Sequence, residues 1–176
     1  DHFVHIEYFR EPGVADADLA AAPRDFLIRV FHALSGDYHY LDVWKHPPGT
    51  TYLEALPVAP PFPWSWMSEP EMDVIAADYE KSGFTGGLNW YRAMDIRWNQ
   101  RKPWRGQKTQ APYYFIGSEA DVDLEAWHGE DPLGDIHKQH GDVRRIEMLP
   151  KAGHLIQLER SDDVTRLMRE FLSELV

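Results

Sequence analysis

The chain contains no cysteine, few basic residues and no long apolar run. The absence of cysteine excludes disulfides, a thiolate nucleophile and cysteine metal sites. The formal net charge of −11, with no basic cluster longer than a pair such as Arg101 and Lys102, argues against nucleic acid and anionic membrane surfaces as ligands. The sequence shows neither a membrane-spanning stretch nor signal-peptide character after Asp1. We therefore expect a soluble, cytoplasmic protein with a small ligand that is not strongly anionic.

The first hundred residues have the patterns of helices. Apolar residues recur at helical spacing from Pro23 until Gly36, and Ser68 with Glu71 forms a capping box that predicts a second helix. Three glycines are expected to end that helix, and helical spacing over 88–98 predicts a third one. The segment 38–66 between the first two helices is rich in proline, so we expect an ordered covering loop there.

The remaining residues have an α/β pattern. Two short apolar runs, 113–116 and 143–149, predict buried parallel strands. The segment 124–141 has the length of a crossover helix, and an apolar stripe after Ser161 predicts a terminal helix. Parallel sheets usually have several strands with both faces covered, so this part resembles the edge of a larger sheet.

Chemistry-bearing residues follow both predicted strands. His154 lies after the second strand, where a general base could be presented, although it could equally cap a helix or bond to backbone. Asp121, with Asp123 as the second choice, follows the first strand and could orient the histidine. Either aspartate could instead be the N-cap of the next helix. The sequence therefore predicts an acid and base pair at the carboxyl edge of the sheet.

Three segments together resemble the soluble epoxide hydrolases of the α/β-hydrolase superfamily. They are YFREPGVA at 8–15, SGFTGGLNWYR at 82–92 and AGHLIQLER at 152–160. The resemblance runs through nearly the whole chain and maps to the later half of that family. It implies a mainly helical lid domain at 1–100, followed at 101–176 by the carboxy-terminal part of the α/β-hydrolase core, with its last two parallel strands and helices.

The resemblance also implies roles for individual residues. His154 corresponds to the general base, Asp121 to its orienting acid and Tyr91 to a lid tyrosine that donates a hydrogen bond to the epoxide oxygen. The family usually has a second lid tyrosine, and His5 stands at that position, where its ring N–H could donate; Tyr8 could take the role instead, or one donor could suffice. Phe9 and Trp90 are expected to line an apolar pocket.

The chain departs from the family pattern because the His-Asp-Trp-Gly turn of the nucleophilic aspartate and the His-Gly-Phe-Pro oxyanion loop do not occur in these 176 residues. We therefore expect the chain alone to be inactive and to need an amino-terminal half from the same or a separate polypeptide. The expected substrates are a small apolar epoxide and water, with no cofactor, and a homo-oligomer is possible.

Two other functions, and a metal site, are also considered from the sequence. A haloalkane or haloacetate dehalogenase would share the nucleophile, acid and base, although a lid tyrosine favours an epoxide. A non-catalytic module that binds a small ligand would explain the absent nucleophile. His137 and His140, near Asp131 and Asp135, have no defined third ligand, so we expect a solvated face there and no metal.

Overall fold

The computed structural model describes residues 4–42, 45–127 and 131–175. The chain divides into two compact units. Unit 1 comprises Asp1–Ala33 and Tyr40–Arg105, and unit 2 comprises Leu34–His39 and Gly106–Val176. The short segment Leu34–His39 thus belongs with residues much later in the chain.

Unit 1 is helical in its described residues. Its helices are α1 (His5–Arg10), α2 (Val14–Ala21), α3 (Pro23–Ala33), α4 (Tyr52–Ala55), α5 (Glu69–Ser82), α6 (Thr85–Arg92) and α7 (Met94–Arg101), with 3-10 helices at Tyr40–Asp42 and Lys102–Trp104. The core includes Leu19 and Met72, and the rings of Phe26 and Phe84 meet edge to face at 5.4 Å. Burial of these side chains supplies the main stabilisation of the unit.

The predicted helices of unit 1 are confirmed in two places and wrong in one. The helix beginning at Pro23 is α3, and the capping box is present at the start of α5, where the Ser68 N–H donates to Glu71 at 2.8 Å. The predicted single helix over 88–98 is instead two helices, α6 and α7, which meet at Ala93. Of the three glycines expected to end the helix that is now α5, Gly83 caps its end, whereas Gly86 and Gly87 lie inside α6.

Unit 2 has the predicted β-α-β-α order. It contains β1 (Thr109–Ser118), α8 (Val122–Trp127), α9 (Ile136–Gln139), β2 (His140–Leu149), α10 (Ile156–Glu159) and α11 (Ser161–Ser173). The two strands pair in parallel, with Tyr113 opposite Val143 and Ser118 opposite Leu149. Leu167 of α11 is buried. Both predicted strands are confirmed, and each is longer than its apolar run.

The predicted crossover helix over 124–141 is wrong as a single element. The described residues form the short helices α8 and α9, and residues 128–130 lie outside the described part of the chain. Asp131, Pro132 and Gly134 disfavour a continuous helix at this point.

Within the three described ranges, no helix is both long enough and apolar enough to cross a membrane.

Candidate active site

The parallel register of the sheet brings the segments carrying Asp121 and His154 together. Because Ser118 lies opposite Leu149, both strands end at the same edge of the sheet. Past this edge, His154 Nδ1 lies 3.0 Å from Asp121 Oδ1 and 3.7 Å from Asp123 Oδ2. The structure therefore brings the predicted base and acid into hydrogen-bonding contact, and it ranks Asp121 ahead of Asp123.

The protonation of this pair follows from its hydrogen bonds. The bond to Asp121, together with the nearby carboxylates, raises the pKa of His154 above its ordinary value, although partial burial opposes the shift. Burial disfavours the Asp121 carboxylate, yet the bond from His154 and backbone N–H donors hold the pKa of Asp121 below its ordinary value. Since an ionised carboxylate only accepts, Nδ1 carries the proton and Nε2 is the nitrogen that can take one from a reactant.

Asp121 also performs the alternative role considered from the sequence. Its Oδ1 accepts a hydrogen bond from the Asp123 N–H at 2.9 Å, and its backbone carbonyl accepts from the Glu125 N–H at 3.2 Å, which begins α8. The same carboxylate therefore starts the helix and orients the histidine. Because the helix start fixes the aspartate, the side chain needs little reorganisation to hold the imidazole.

The loop that presents His154 is held against Leu34–His39. The His154 N–H donates to the Leu34 carbonyl at 2.8 Å, and the buried Ser118 hydroxyl donates to the Gly153 carbonyl at 2.5 Å. A Cβ on Gly153 would lie 2.3 Å from the Leu34 oxygen, so only glycine fits there. Sequence reasoning missed these contacts, because Leu34 and Gly36 were interpreted only as the end of a helix.

In unit 1, the predicted donors His5 and Tyr91 share an aromatic cluster with Phe9 and Tyr52. The rings of His5 and Tyr91 are 6.0 Å apart and nearly perpendicular, and Phe9 lies 4.9 Å from Tyr91. Tyr52 stacks on His5 with 5.9 Å between centroids. Phe9 is only 4% exposed, whereas Tyr91 is 38% exposed. The cluster thus buries Phe9 and leaves part of Tyr91 open to solvent.

Two neighbouring aromatic residues have other environments. The Tyr8 hydroxyl donates to Asp18 at 2.8 Å, and burial together with that carboxylate raises the pKa of Tyr8 well above its ordinary value. This bond uses the single phenolic proton, which disfavours Tyr8 as the second donor. Trp90 is 66% exposed, and the Arg97 guanidinium lies 5.2 Å from the centre of its ring.

The helix that carries Tyr91 is anchored by the next residue. Arg92 pairs with Asp16 at 2.5 Å, and its Nε donates to the Phe9 carbonyl at 2.9 Å. Asp16 also accepts from the Thr85 hydroxyl at 2.6 Å. These bonds, led by the one from Arg92, hold the pKa of Asp16 well below its ordinary value. The network joins α1, α2 and α6, which together carry His5 and Tyr91.

His137 and His140 were considered as metal ligands from the sequence. Among the residues that the structure describes, no group of three or more His, Asp or Glu side chains could hold a metal ion. The expected solvated face is wrong for His140, whose ring stacks on Tyr113 with 3.6 Å between centroids and is partly buried. His137 is exposed on α9, as expected.

Known proteins similar to this chain are epoxide hydrolases. The chain is 33% identical to epoxide hydrolase A of Mycobacterium tuberculosis over 177 residues, which is 99% of the chain and 53% of that protein. It is 31% identical to epoxide hydrolase 1 of Siraitia grosvenorii, over 94% of the chain and 51% of that protein. No family model matches the chain.

Solved structures give the same result. An epoxide hydrolase from an endophytic Streptomyces matches with a TM-score of 0.90 at 31% identity, over 99% of this chain and 53% of that one. Epoxide hydrolase A from Mycobacterium thermoresistibile matches with a TM-score of 0.86 at 33% identity, over 98% of this chain and 53% of that one. The chain thus spans about half the length of the relatives that it matches.

The parallel strand pair is consistent with the carboxy-terminal part of an α/β-hydrolase, and so are these matches. The contact between Asp121 and His154 beyond the carboxyl ends of the strands agrees with this. Within that superfamily, the chain is a homologue of the epoxide hydrolases.

Proposed function

We propose that this chain is part of an epoxide hydrolase, which converts an epoxide and water to a vicinal diol through a covalent ester on an aspartate outside these 176 residues. The observation that carries the proposal is the 3.0 Å contact between His154 and Asp121 in a chain whose relatives are named epoxide hydrolases. The substrate is a small apolar epoxide, and the chemistry needs no cofactor.

In the first step, the external carboxylate attacks one carbon of the epoxide ring. A new ester C–O bond forms, the ring C–O bond breaks, and its electron pair becomes an alkoxide on the other carbon. The Tyr91 phenol gives its proton to this oxygen, because a phenol is a stronger acid than an aliphatic alcohol. The products of the step are a hydroxy ester and a tyrosinate.

In the second step, His154 activates water. Nε2 takes a proton from water, and the resulting hydroxide adds to the ester carbonyl. The tetrahedral intermediate collapses with cleavage of the ester bond, which restores the carboxylate and releases the second alcohol. The proton held by the imidazolium then restores the tyrosinate to the phenol, so that the cycle consumes one water and regenerates every group. Asp121 stabilises the imidazolium throughout.

We assign His5 as the second donor to the epoxide oxygen, through a ring N–H. Its 6.0 Å separation from Tyr91 within one aromatic cluster supports this assignment. Phe9 and Trp90 are proposed to line the pocket for the apolar part of the substrate, and the contact of Phe9 with Tyr91 supports the first of these roles. Aromatic walls favour an apolar substrate and exclude water from the opening epoxide.

The proposal requires an amino-terminal half that supplies the aspartate, from the same or a separate polypeptide. Joining the chain to such a half, by fusion or mixing, should give diol from styrene oxide. Halide release from a haloalkane serves as the control reaction, and preferential halide release would instead indicate a dehalogenase. Failure of a folded assembly to turn over either substrate would exclude both activities and leave a binding module.

Replacing the base should trap the intermediate. In the complete assembly, His154→Gln should still allow ester formation but should block its hydrolysis, so that intact mass spectrometry finds one substrate mass added to the aspartate-bearing half. His137→Gln, at an exposed histidine on α9, is the matched control and should show no adduct. If His154→Gln turns over normally, His154 is not the base.

A further inference from the structure

Glu159, the last residue of α10, holds two separate parts of unit 2 together. Its Oε2 accepts a hydrogen bond from the Gly36 N–H at 2.8 Å. Both carboxylate oxygens also accept from the Gly153 N–H, at 3.0 and 3.1 Å. Glu159 thus bridges the Leu34–His39 segment to the residue that immediately precedes His154. A charged acceptor makes stronger hydrogen bonds to backbone N–H groups than a neutral one does.

The peptides around Gly153 are held on both sides. Glu159 takes the Gly153 N–H, while the Ser118 hydroxyl donates to the Gly153 carbonyl. A Cβ on Gly36 would lie 2.8 Å from the Ala152 Cα, so this segment packs directly on the loop. Every one of these contacts is within one or two residues of His154. A loop bound at successive peptides leaves the imidazole few alternative positions.

The charge of Glu159 also acts on the histidine. The carboxylates that face His154 are Asp121, Asp123 and Glu159, and all three favour the protonated ring. Burial raises the pKa of Glu159, and nearby Asp37 adds to the shift, although the backbone donors of Gly36, Gly153 and Leu155 oppose it. Three backbone donors aimed at one carboxylate favour its ionised form.

We propose that Glu159 is a positioning residue for His154, whose carboxylate fixes the loop that presents the imidazole to Asp121. The inference rests on the proposed role of His154 as the base. Removal of Glu159 leaves Asp121 in place but frees the Gly153 peptide and the Gly36 peptide from each other. Catalysis is sensitive to displacements of about 1 Å. A small shift of the loop therefore slows the activation of water by His154 even when the fold is retained.

The test is Glu159→Gln in the complete assembly. The amide oxygen can still accept from both glycine N–H groups, as Oε2 does here, but it carries no charge, and the NH₂ that replaces Oε1 meets the Gly153 N–H donor to donor. We expect kcat for diol formation to fall by about 10- to 100-fold and KM to fall with it, because the slowed step follows ester formation, which sets kcat/KM. An NMR titration should show a lower His154 pKa, because one facing negative charge is lost.

Two controls separate positioning from stability. Glu170→Gln makes the same change at a glutamate of α11 that pairs with Arg166, and it should leave kcat and the His154 titration unchanged. Leu167→Val lowers stability at a buried site of α11 and should also leave the titration unchanged. If Glu159→Gln behaves like Leu167→Val, the positioning role is wrong.

Glu159→Asp covers the case in which Glu159→Gln does not fold. It keeps the charge but is one methylene too short to reach both glycines, so kcat should fall while the His154 titration stays closer to that of the parent. An unchanged kcat would overturn the inference. The titration needs no substrate, and the proposed function fails separately, through normal turnover by His154→Gln.

Discussion

At the scale of single residues, Asp121 combines two roles that the sequence presented as alternatives. It bonds to the Asp123 N–H at the start of α8 and to the ring of His154. The position of both residues was predictable, because strand ends and a family motif locate them along the chain. The role of Glu159 was not, because its contact with Gly36 joins residues 123 positions apart and leaves no local pattern.

Asp121→Asn should shift the pH dependence of the base step. The amide keeps an acceptor for the Nδ1 proton but removes the charge that stabilises the imidazolium, so the His154 pKa should fall. Since only the neutral ring accepts a proton, the rising limb of the rate against pH should move to lower pH in the variant. The plateau should fall by about 10²- to 10⁴-fold.

The control for this prediction is Asp123→Asn, at a carboxylate 3.7 Å from the same nitrogen. It should give a smaller shift in the same direction. Rate profiles and an NMR titration of His154 supply the measurements. Equal shifts in the two variants would contradict the assignment of Asp121 as the orienting acid.

At the scale of elements, the glycines show which structural features can be predicted from local sequence. They also show which features depend on tertiary contacts. Gly86 and Gly87 were expected to end a helix, yet both lie in α6, where tertiary packing overrides their weak helix propensity. Gly153 lies between β2 and α10, where a glycine is easily predicted to interrupt regular structure. Its steric reason, the approach of the Leu34 carbonyl, depends on a segment from elsewhere in the chain.

The same substitution at two of these glycines should have opposite effects on stability. Gly153→Ala places a Cβ against backbone that has no freedom to move, and should lower the free energy of unfolding by about 1–3 kcal/mol. Gly86→Ala meets nothing within 4 Å and should raise it by up to about 1 kcal/mol. Urea denaturation followed by circular dichroism measures both. A neutral Gly153→Ala would mean that the loop does not pack as described.

At the scale of the whole molecule, the tryptophans are distributed unequally between the two units. Of the seven tryptophans, all but Trp127 fall within the residue ranges of unit 1. Tryptophan fluorescence therefore reports mainly on unit 1, whose helices α1, α2 and α6 meet at the Arg92 and Asp16 pair. The side chains of this pair are only 13% and 21% exposed, so solvent screens the pair weakly.

Asp16→Asn should destabilise unit 1 by about 1.5–3 kcal/mol at pH 7, as expected for hydrogen bonds to a charged group. Because the pKa of Asp16 is depressed in the folded state, its contribution is present above the unfolded value of 3.8 and is lost as the pH falls through the folded value. The variant should therefore show a weaker loss of stability below pH 4 than the parent.

Denaturation followed by tryptophan fluorescence at several pH values is the measurement. Asp95→Asn is the matched control, because Asp95 is 82% exposed and pairs with Arg10 at 3.4 Å. It should change stability little at any pH. Identical effects of the two substitutions would show that the Arg92 and Asp16 pair is not a tertiary anchor.

The bridge from Gly36 to Glu159 also sets an order of events at the ribosome. The two residues are 123 positions apart, and at about 5–20 residues per second the later one is synthesised roughly 6–25 s after the earlier. For most of that interval Leu34 and Gly36 lack the His154 and Glu159 groups to which they bond, and unit 1 becomes complete within it, once Arg105 has been added. The Gly36 side of the bridge is therefore secured only after the loop that carries His154 has been synthesised.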